Sequence, residues 1–190
     1  MTERRREKIL SVIRQRQPNL TLVMEDIHDP HNVSAVLRSA DAVGIAEVQL
    51  VYVNEKFPRL GKKSSASATK WVRRRAFTSV KACYDQLHEE GFIIYASHLG
   101  KKSSSLYELD LTKKIALVFG NEHRGVSEEA AERADGNFQI PMAGMIQSLN
   151  VSVACAVSVY EAFRQWHASG SRAMLTPEEM DRFFEEWTKK

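Results

Sequence analysis

Three segments of the sequence carry polar residues that could bind a ligand or assist a proton transfer. The first contains Asn32 and Arg38 in a stretch with helical spacing. The second reads FGNEHRGVS over residues 119–127, and the third reads IPMAGMIQSLNVSVA over residues 140–154. Each lies where a strand-like apolar run meets a helix-like run, so some backbone N–H and C=O groups have no secondary-structure partner. Such junctions favour a ligand bound by main chain and by a few polar side chains.

Local interactions offer a plainer explanation of the first segment. Asp29 can cap the predicted helix, and Pro30 fits its first position. Arg38 precedes Asp41 by three residues, so the two side chains could form an ion pair on the helix surface. Asn32, in the first turn, could bond to nearby backbone. If these local interactions form, Arg38 and Asn32 have structural roles and need take no part in chemistry.

The second segment resembles the start of a phosphate-binding loop, because Gly120 and Gly125 have the right spacing. Val126, however, stands where the phosphate-binding lysine belongs. Acidic residues such as Glu128 at the start of the next helix would also repel phosphate. The sequence therefore argues against a nucleoside triphosphate. Glu122, beside the glycine turn, could be a structural cap or could hold an amine or hydroxyl.

The third segment opens a long helix that is rich in small residues. Ser148 or Asn150 can provide its N-cap. Small side chains at Ser152, Ala156 and Ser158 would let another helix approach closely. A helix that is apolar on most faces is buried, either in the core or in a dimer interface.

The elements that must position these segments alternate between strands and helices. Strands are predicted at 21–24, 48–53, 92–96, 115–119 and 138–140, and helices at 33–43, 79–90, 127–133 and 149–166. This alternation predicts an α/β domain with a mostly parallel sheet. A basic helix over 3–16 precedes it. A final helix follows the N-cap Thr176, and its apolar stripe must be covered by the body or by another subunit.

Composition excludes several classes of protein. The 190 residues are 43% hydrophobic and 27% charged, with a net charge of +3, as in an ordinary globular domain. No apolar run is long enough to span a bilayer, and no signal peptide is visible, so we expect a cytoplasmic protein without membrane contact. The two cysteines, Cys83 and Cys155, lack metal or redox spacing and are expected to be reduced. The six histidines are not clustered, so no metal site is expected.

Basic residues are concentrated in two stretches, one at the N-terminus and one between residues 56 and 75. Either cluster alone could be no more than a solvated face. Two such clusters in a nearly neutral chain favour a polyanionic partner such as RNA. Trp71 lies within the second cluster and could stack on a base or serve as a packing anchor.

The residues of the three segments extend this interpretation. Residues 32–44 (NVSAVLRSADAVG), 118–127 and 140–154 resemble, in order and spacing, the three motifs of the SpoU (SPOUT) RNA 2′-O-methyltransferases. The resemblance spans nearly the whole chain. It implies a homodimer of α/β domains, each with a parallel sheet and a C-terminal trefoil knot. The expected division is a basic helical arm over 1–18, the methyltransferase domain over 19–168 and an amphipathic helix over 169–190.

The resemblance also implies the site residues and S-adenosylmethionine as the cofactor. The catalytic group would be Arg38, Asn32, Glu122, Ser148 and Asn150. The cofactor site would be lined by Ser97, Leu99, Gly120, Glu122, Ile140, Met142, Ser148, Leu149, Asn150 and Ala154. RNA would be bound by Arg4, Arg5, Arg6, Arg14, Lys62, Lys63, Lys70, Arg73, Arg75 and Arg124.

Within the family, the residues preceding Asn32 and the short chain are most similar to the enzymes that methylate guanosine 18 in the D-loop of tRNA. We therefore expect the substrate to be tRNA and the target to be the ribose 2′-hydroxyl. Two alternatives stay open at this point: a methyltransferase of ribosomal RNA, and a non-catalytic RNA-binding homologue. The second would be expected to lack Arg38 or the third motif, and this sequence has both.

Overall fold

The chain folds around a parallel β-sheet in a computed structural model that describes residues 1–61, 68–170 and 173–190. The strands are β1 Leu20–Glu25, β2 Glu47–Val51, β3 Arg73–Phe77, β4 Ile93–Ser97, β5 Ser104–Ser105, β6 Ile115–Phe119 and β7 Gly136–Gln139. Their order in the sheet is β3-β2-β1-β6-β4-β7-β5. Each paired neighbour is parallel, which confirms the α/β prediction.

Helices cover both faces of this sheet. They are α1 Glu3–Ile13, α2 Pro30–Ala42, α3 Ala68–Trp71, α4 Val80–Glu89, α5 Glu128–Arg133, α6 Val151–Ser169 and α7 Pro177–Thr188. One hydrophobic cluster joins residues of α2 and α6 to the sheet, and a second joins residues of α4 and α5 to it. Every residue of β1 and β6 is buried, because these central strands are covered on both sides.

The sheet brings the ends of the central strands together. β1 pairs with β6 so that Met24 lies opposite Phe119, and β6 pairs with β4 so that Val118 lies opposite Ala96. All three strands run in the same direction. Their carboxyl ends therefore open on one edge, which is where ligands bind in open α/β sheets.

Strand β3 was not predicted, because its sequence RRRAF has three arginines and reads as a charged loop. The strand lies at the edge of the sheet beside β2. At an edge, the long arginine side chains can keep their charged groups in solvent, so they are compatible with a strand. The preceding strand β2 ends at Val51 instead of Val53. Its backbone turns away there because the Val53 N–H donates to the carboxylate of Asp26 and not to a neighbouring strand.

The two terminal helices pack against each other. Ile9 and Ile13 of α1 form a third cluster with Phe183 and Trp187 of α7, so the apolar stripe of α7 is largely covered by the same chain. Trp71 packs edge-on to Trp187, with ring centroids 5.1 Å apart. Of its two predicted roles, the structure thus shows the packing one.

Arg16, in the N-terminal basic stretch, is a structural residue and not a surface charge. Its side chain is fully buried. The guanidinium donates to the carbonyl oxygen of Ile45 at 2.9 Å and to the carboxylate of Asp41 at 2.5 Å. It also lies 4.9 Å from the ring centroid of Trp187. Arg16 therefore joins the terminal helices to the end of α2.

The cysteines behave as the composition suggested. Cys83 and Cys155 are buried and unpaired. Burial raises the pKa of the Cys83 thiol to about 12 and also raises the pKa of Cys155. Both thiols are therefore neutral and unreactive at ordinary pH.

Candidate functional site

Glu122 is the centre of the polar network at the carboxyl edge of the sheet. It lies three residues beyond β6, and its carboxylate accepts three hydrogen bonds. The donors are the backbone N–H groups of His28 at 2.9 Å and Asp29 at 3.0 Å, and the side-chain amide of Asn32 at 2.9 Å. Partial burial opposes ionisation, but these donors outweigh it, so the pKa of Glu122 is lowered. The side chain is thus held as a carboxylate.

Asn32 connects this carboxylate to the third motif. Its amide nitrogen donates to Glu122, and its amide oxygen accepts from the side chain of Asn150 at 3.1 Å. Asn150 is also the N-cap of α6, because its oxygen accepts from the backbone N–H of Ser152 at 2.9 Å. The bonds made by Asn32 are long-range, so the alternative of a purely local role is wrong. The chain Glu122–Asn32–Asn150 joins the three motifs.

Arg38 lies nearly two turns beyond Asn32 on α2 and is exposed to solvent. The predicted alternative, an ion pair with Asp41, is wrong because Asp41 binds Arg16 instead. Within the described parts of the chain, Arg38 makes no side-chain hydrogen bond or ion pair. Its guanidinium is therefore available to an anionic ligand.

The turn at residues 120–125 is tightly closed. A Cβ at Gly120 would lie 2.1 Å from the carbonyl oxygen of Gly125, so only glycine fits there. The side-chain oxygen of Asn121 accepts a hydrogen bond from the backbone N–H of His123 at 2.9 Å. The main-chain carbonyl oxygen of Asn121 accepts one from the N–H of Gly125 at 2.8 Å. Ser127 then caps α5. The turn presents Glu122 from a fixed backbone.

Two acidic residues at the end of β1 were not predicted to have a part in the site. Glu25 is buried, and its carboxylate accepts from the N–H of Ser127 at 2.9 Å and from its hydroxyl at 2.5 Å. Burial raises the pKa of Glu25 in spite of these donors. Asp26 follows with a φ of 50° and binds the loop after β2. The sequence did contain a signal for both roles, because Glu25 and Asp26 are adjacent acidic residues at the end of an apolar run.

The residues expected to line the cofactor site follow neighbouring strands. Ser97 ends β4, opposite Phe138 of β7, and Gly120 and Ile140 follow β6 and β7. Leu99, by contrast, is 60% exposed. In the third motif Met142, Leu149 and Ala154 are partly buried, whereas Ser148 is exposed and its side chain has no partner in the described residues. The topology thus brings these segments to one edge, with Ser148 on the open side of the loop.

The basic residues expected to bind RNA fall into two groups. Arg4, Arg5, Arg14 and Lys70 are exposed and their side chains make no ion pair with the described residues. The others have partners: Arg6 pairs with Glu3, Arg73 with Glu186, Arg75 with Glu90 and Arg124 with Glu55. Lys62 and Lys63 lie outside the described residues.

The two arginines in β3 are held firmly. Arg73 makes a two-pronged pair with Glu186, at 2.7 and 2.9 Å, and stacks 3.6 Å from the ring centroid of Phe183. Arg75 binds Glu90 in the same manner, which raises the pKa of Arg75. These two ion pairs stabilise the sheet edge. Because the charges of Arg73 and Arg75 are already paired, these side chains should attract a phosphate less strongly than the unpaired Arg4 and Arg5 of α1.

A concave region lies next to α1, away from the polar network. Its cavity has a volume of about 760 Å³ and is lined by Arg4, Arg5 and Lys8 together with Trp71 and Phe163. Basic and aromatic side chains in one depression are typical of surfaces that bind nucleic acid.

No group of residues arranged to hold a metal ion occurs in the described ranges. Among these same residues, no helix is both long enough and apolar enough to cross a membrane.

The fold and the polar network define an α/β protein that binds its ligand at the carboxyl edge of an open parallel sheet. Such proteins hold ligands at this edge through main-chain groups and a few polar side chains. Comparison with known proteins then gives the family. Residues 19–160 match the model of the SpoU rRNA Methylase family, and the chain belongs to this family.

Similar proteins cover almost the whole chain. A tRNA (guanosine(18)-2′-O)-methyltransferase of Thermus thermophilus is 44% identical over all of this chain and 98% of its own length. The enzyme of the same name in Escherichia coli K12 is 37% identical over 96% of this chain and 81% of its own. The crystal structure of the A. aeolicus TrmH/SpoU tRNA modifying enzyme superposes with a TM-score of 0.92 at 35% identity, covering 98% of this chain and 96% of that one.

Proposed function

We propose that this protein transfers a methyl group from S-adenosylmethionine to the ribose 2′-hydroxyl of guanosine 18 in tRNA. The observation that carries the proposal is the network Glu122–Asn32–Asn150, which unites the three motifs at the carboxyl edge and leaves Arg38 unpaired on the same helix as Asn32. The names of the Thermus and Escherichia relatives support the position and the RNA class.

The residues at the edge fit S-adenosylmethionine. The loops at 120–125 and 140–150 offer main-chain groups, and the exposed apolar side chains of Leu99 and Ile146 offer contact area for an adenine face. Gly120 lets the end of β6 lie directly against the backbone of Gly125 and Val126. When bound, the cofactor would supply an activated methyl group. We propose Ser97, Leu99, Gly120, Glu122, Ile140, Met142, Ser148, Leu149, Asn150 and Ala154 as its lining.

The side chains have separable roles in the reaction. The transfer requires an aligned 2′-hydroxyl and the loss of its proton. Arginine has an ordinary pKa too high for an efficient base. We therefore assign Arg38 to the RNA phosphate, where its charge orients the ribose and makes the hydroxyl more acidic, so that the proton can pass to solvent water as the hydroxyl oxygen accepts the methyl group. Glu122 already accepts from three donors as a carboxylate, so it positions Asn32 and the start of α2 and does not take the proton.

RNA would reach this site along the N-terminal helix. The unpaired Arg4 and Arg5 line the basic and aromatic cavity beside α1, and they are the leading candidates for phosphate contact. Arg14 and Lys70 extend this surface. Four other arginines would have to leave a carboxylate partner to bind a phosphate: Arg6, Arg73, Arg75 and Arg124. We also include Lys62 and Lys63 among the proposed RNA-binding residues.

We also propose the homodimer and the trefoil knot that the resemblance implies. On α6, Val153 is 46% exposed and Tyr160 is 51% exposed, with the small Ala156 between them on the same side. This face is the proposed dimer contact. Ser158, one of the small residues expected to let another helix approach, is instead fully buried in the chain's own core. The arm over 1–18, the domain over 19–168, the helix over 169–190 and a cytoplasmic location belong to the same proposal.

A methyl-transfer assay with two arginine variants tests the function. The purified protein and unmodified total RNA are incubated with labelled S-adenosylmethionine, and the labelled RNA is identified by size. We expect label in tRNA. Arg38→Ala should abolish transfer while cofactor binding is kept, and Arg133→Ala, which alters an exposed pair with Glu129, should behave as wild type. Label in ribosomal RNA alone, or full activity of Arg38→Ala, would contradict the proposal.

A further inference from the structure

Asp26 holds an unusual number of backbone groups with one carboxylate. It follows β1 directly and has a φ of 50°, in the left-handed region that aspartate tolerates better than most residues. Its carboxylate accepts from the N–H groups of Val53 at 2.9 Å, Asn54 at 3.2 Å and Glu55 at 3.2 Å. It also accepts from the side-chain amide of Asn54 at 2.9 Å. The start of the loop after β2 is therefore bound to a single buried side chain.

The main chain of the same residue holds the turn that carries Glu122. The carbonyl oxygen of Asp26 accepts from the side-chain amide of Asn121 at 2.8 Å. Asn121 in turn shapes residues 121–125. Asp26 thus joins two segments that are far apart in the sequence: the loop after β2 through its side chain, and the Glu122 turn through its backbone.

Charged side chains reinforce this junction. Glu55, whose N–H is held by Asp26, lies 3.4 Å from the guanidinium of Arg124 and 3.5 Å from Nδ1 of His28. His28 is the residue whose backbone N–H donates to Glu122. The loop after β2 is thereby seated beside the start of α2.

The order of the strands in the sheet indicates whether the loop bound by Asp26 lies on the cofactor side or on the RNA side of the site. The segments proposed to line the cofactor follow β6, β4 and β7, which all lie on one side of β1. The loop after β2 lies on the other side of β1, and it carries Lys56 and Arg59. We therefore expect a disturbance of this loop to act on the RNA side of the site.

We propose that Asp26 is a positioning residue for the RNA substrate, which fixes residues 53–55 against the Glu122 turn. The inference rests on the proposed function. The carboxylate acts as an acceptor that orders the loop, and the ordered loop presents its basic residues Lys56 and Arg59 to RNA.

Three versions of residue 26 separate this role from general stability. Asp26→Gly removes the carboxylate and keeps the backbone free to adopt a positive φ. Asp26→Asn also tolerates that conformation and retains one oxygen acceptor. We expect Asp26→Gly to raise KM for tRNA about ten-fold, with kcat within about two-fold of wild type. Cofactor affinity should be unchanged, and Asp26→Asn should restore most of the lost KM.

Hydrogen exchange gives a readout that does not depend on activity. The amides of Val53, Asn54 and Glu55 should exchange faster in Asp26→Gly than in wild type. The amide of Ser127, held by the neighbouring Glu25, should keep its rate and is the internal control. If the exchange changes but wild-type protein does not methylate tRNA, the proposed function fails while the ordering role stands.

Three results would overturn the inference. The first is a folded Asp26→Gly protein with unchanged exchange at residues 53–55. The second is a parallel loss of cofactor affinity and RNA affinity, which would make Asp26 a support of the whole site. The third is an Asp26→Asn protein as impaired as Asp26→Gly, since the amide oxygen would then not replace the carboxylate.

Discussion

Replacing Gly120 by alanine tests the closed turn that presents Glu122. The added Cβ would lie 2.1 Å from the carbonyl oxygen of Gly125 and 2.3 Å from the nitrogen of Val126, whereas Cβ contacts below 3.0 Å are essentially never observed. Both neighbours are backbone atoms, and Asn121 pins the turn with three hydrogen bonds. No flexible side chain can move aside, so the turn itself must open.

The size of the effect follows from the contrast with Gly125. Overpacking costs about 1–3 kcal/mol, and a clash with pinned backbone belongs at the upper end, so we expect about 3 kcal/mol for Gly120→Ala. Gly125 has a φ of 71°, but a Cβ added there would meet no atom within 4 Å. Gly125→Ala should therefore cost about 1 kcal/mol, the penalty for an alanine in the left-handed region.

Thermal unfolding and cofactor titration of the two variants provide the assay. The difference of about 2 kcal/mol should separate their melting temperatures by about 4–8 °C in a domain of this size. Gly120→Ala should also lose affinity for S-adenosylmethionine, because the proposed lining moves with the turn. Equal stability of the two alanine variants, with equal cofactor affinity, would refute the close approach as the reason for glycine at this position.

Three further predictions concern the network and the RNA surface. In a double-mutant cycle of Glu122→Ala and Asn32→Ala, the coupling in unfolding free energy should be about 1–2 kcal/mol, and additivity would contradict their direct bond. The pKa of Glu122 is lowered on folding, so the carboxylate stabilises the folded protein above the unfolded pKa near 4.5, and this stabilisation is lost as pH falls through the folded pKa. The urea midpoint of Glu122→Gln should therefore approach that of wild type as acid is added. A gap between the two midpoints that does not change with pH would contradict this sign. Replacing Arg4 and Arg5 by alanine should reduce the slope of log K for tRNA against log salt by about 1 per lost contact, without effect on cofactor binding, and a slope equal to that of the control Arg133→Ala would show that these two charges are only solvated.

Local chemistry in the sequence identified the N-caps of three helices, whereas the end of β2 and the whole of β3 were not predicted. Thr176 and Asp29 are N-caps where expected, and Asn150 caps α6 as one of the two candidates. Caps are short-range devices whose donors and acceptors lie within a few residues, so they can be identified without knowledge of the fold. The buried strands β1 and β6 were visible for a similar reason, as short apolar runs.

The pairing of distant residues could not be predicted from such patterns. Asn32 lies 90 residues from Glu122 and 118 from Asn150, and their contact depends on the order of strands in the sheet. Only resemblance to a family placed them in one site. The roles of Asp26 and Arg16 were missed because each depends on partners brought together by tertiary structure, and a buried arginine looks the same in sequence as an exposed one.

Methylation of a matched pair of tRNA transcripts would identify the atom that receives the methyl group. One transcript carries guanosine at position 18, and the other is identical except for a 2′-deoxyguanosine there. With labelled S-adenosylmethionine, we predict one methyl group per molecule of the first transcript, on the ribose of guanosine 18, and none on the second. Equal labelling of the two transcripts, or label mapped to any base or to another ribose, would contradict ribose 2′-O-methylation at guanosine 18.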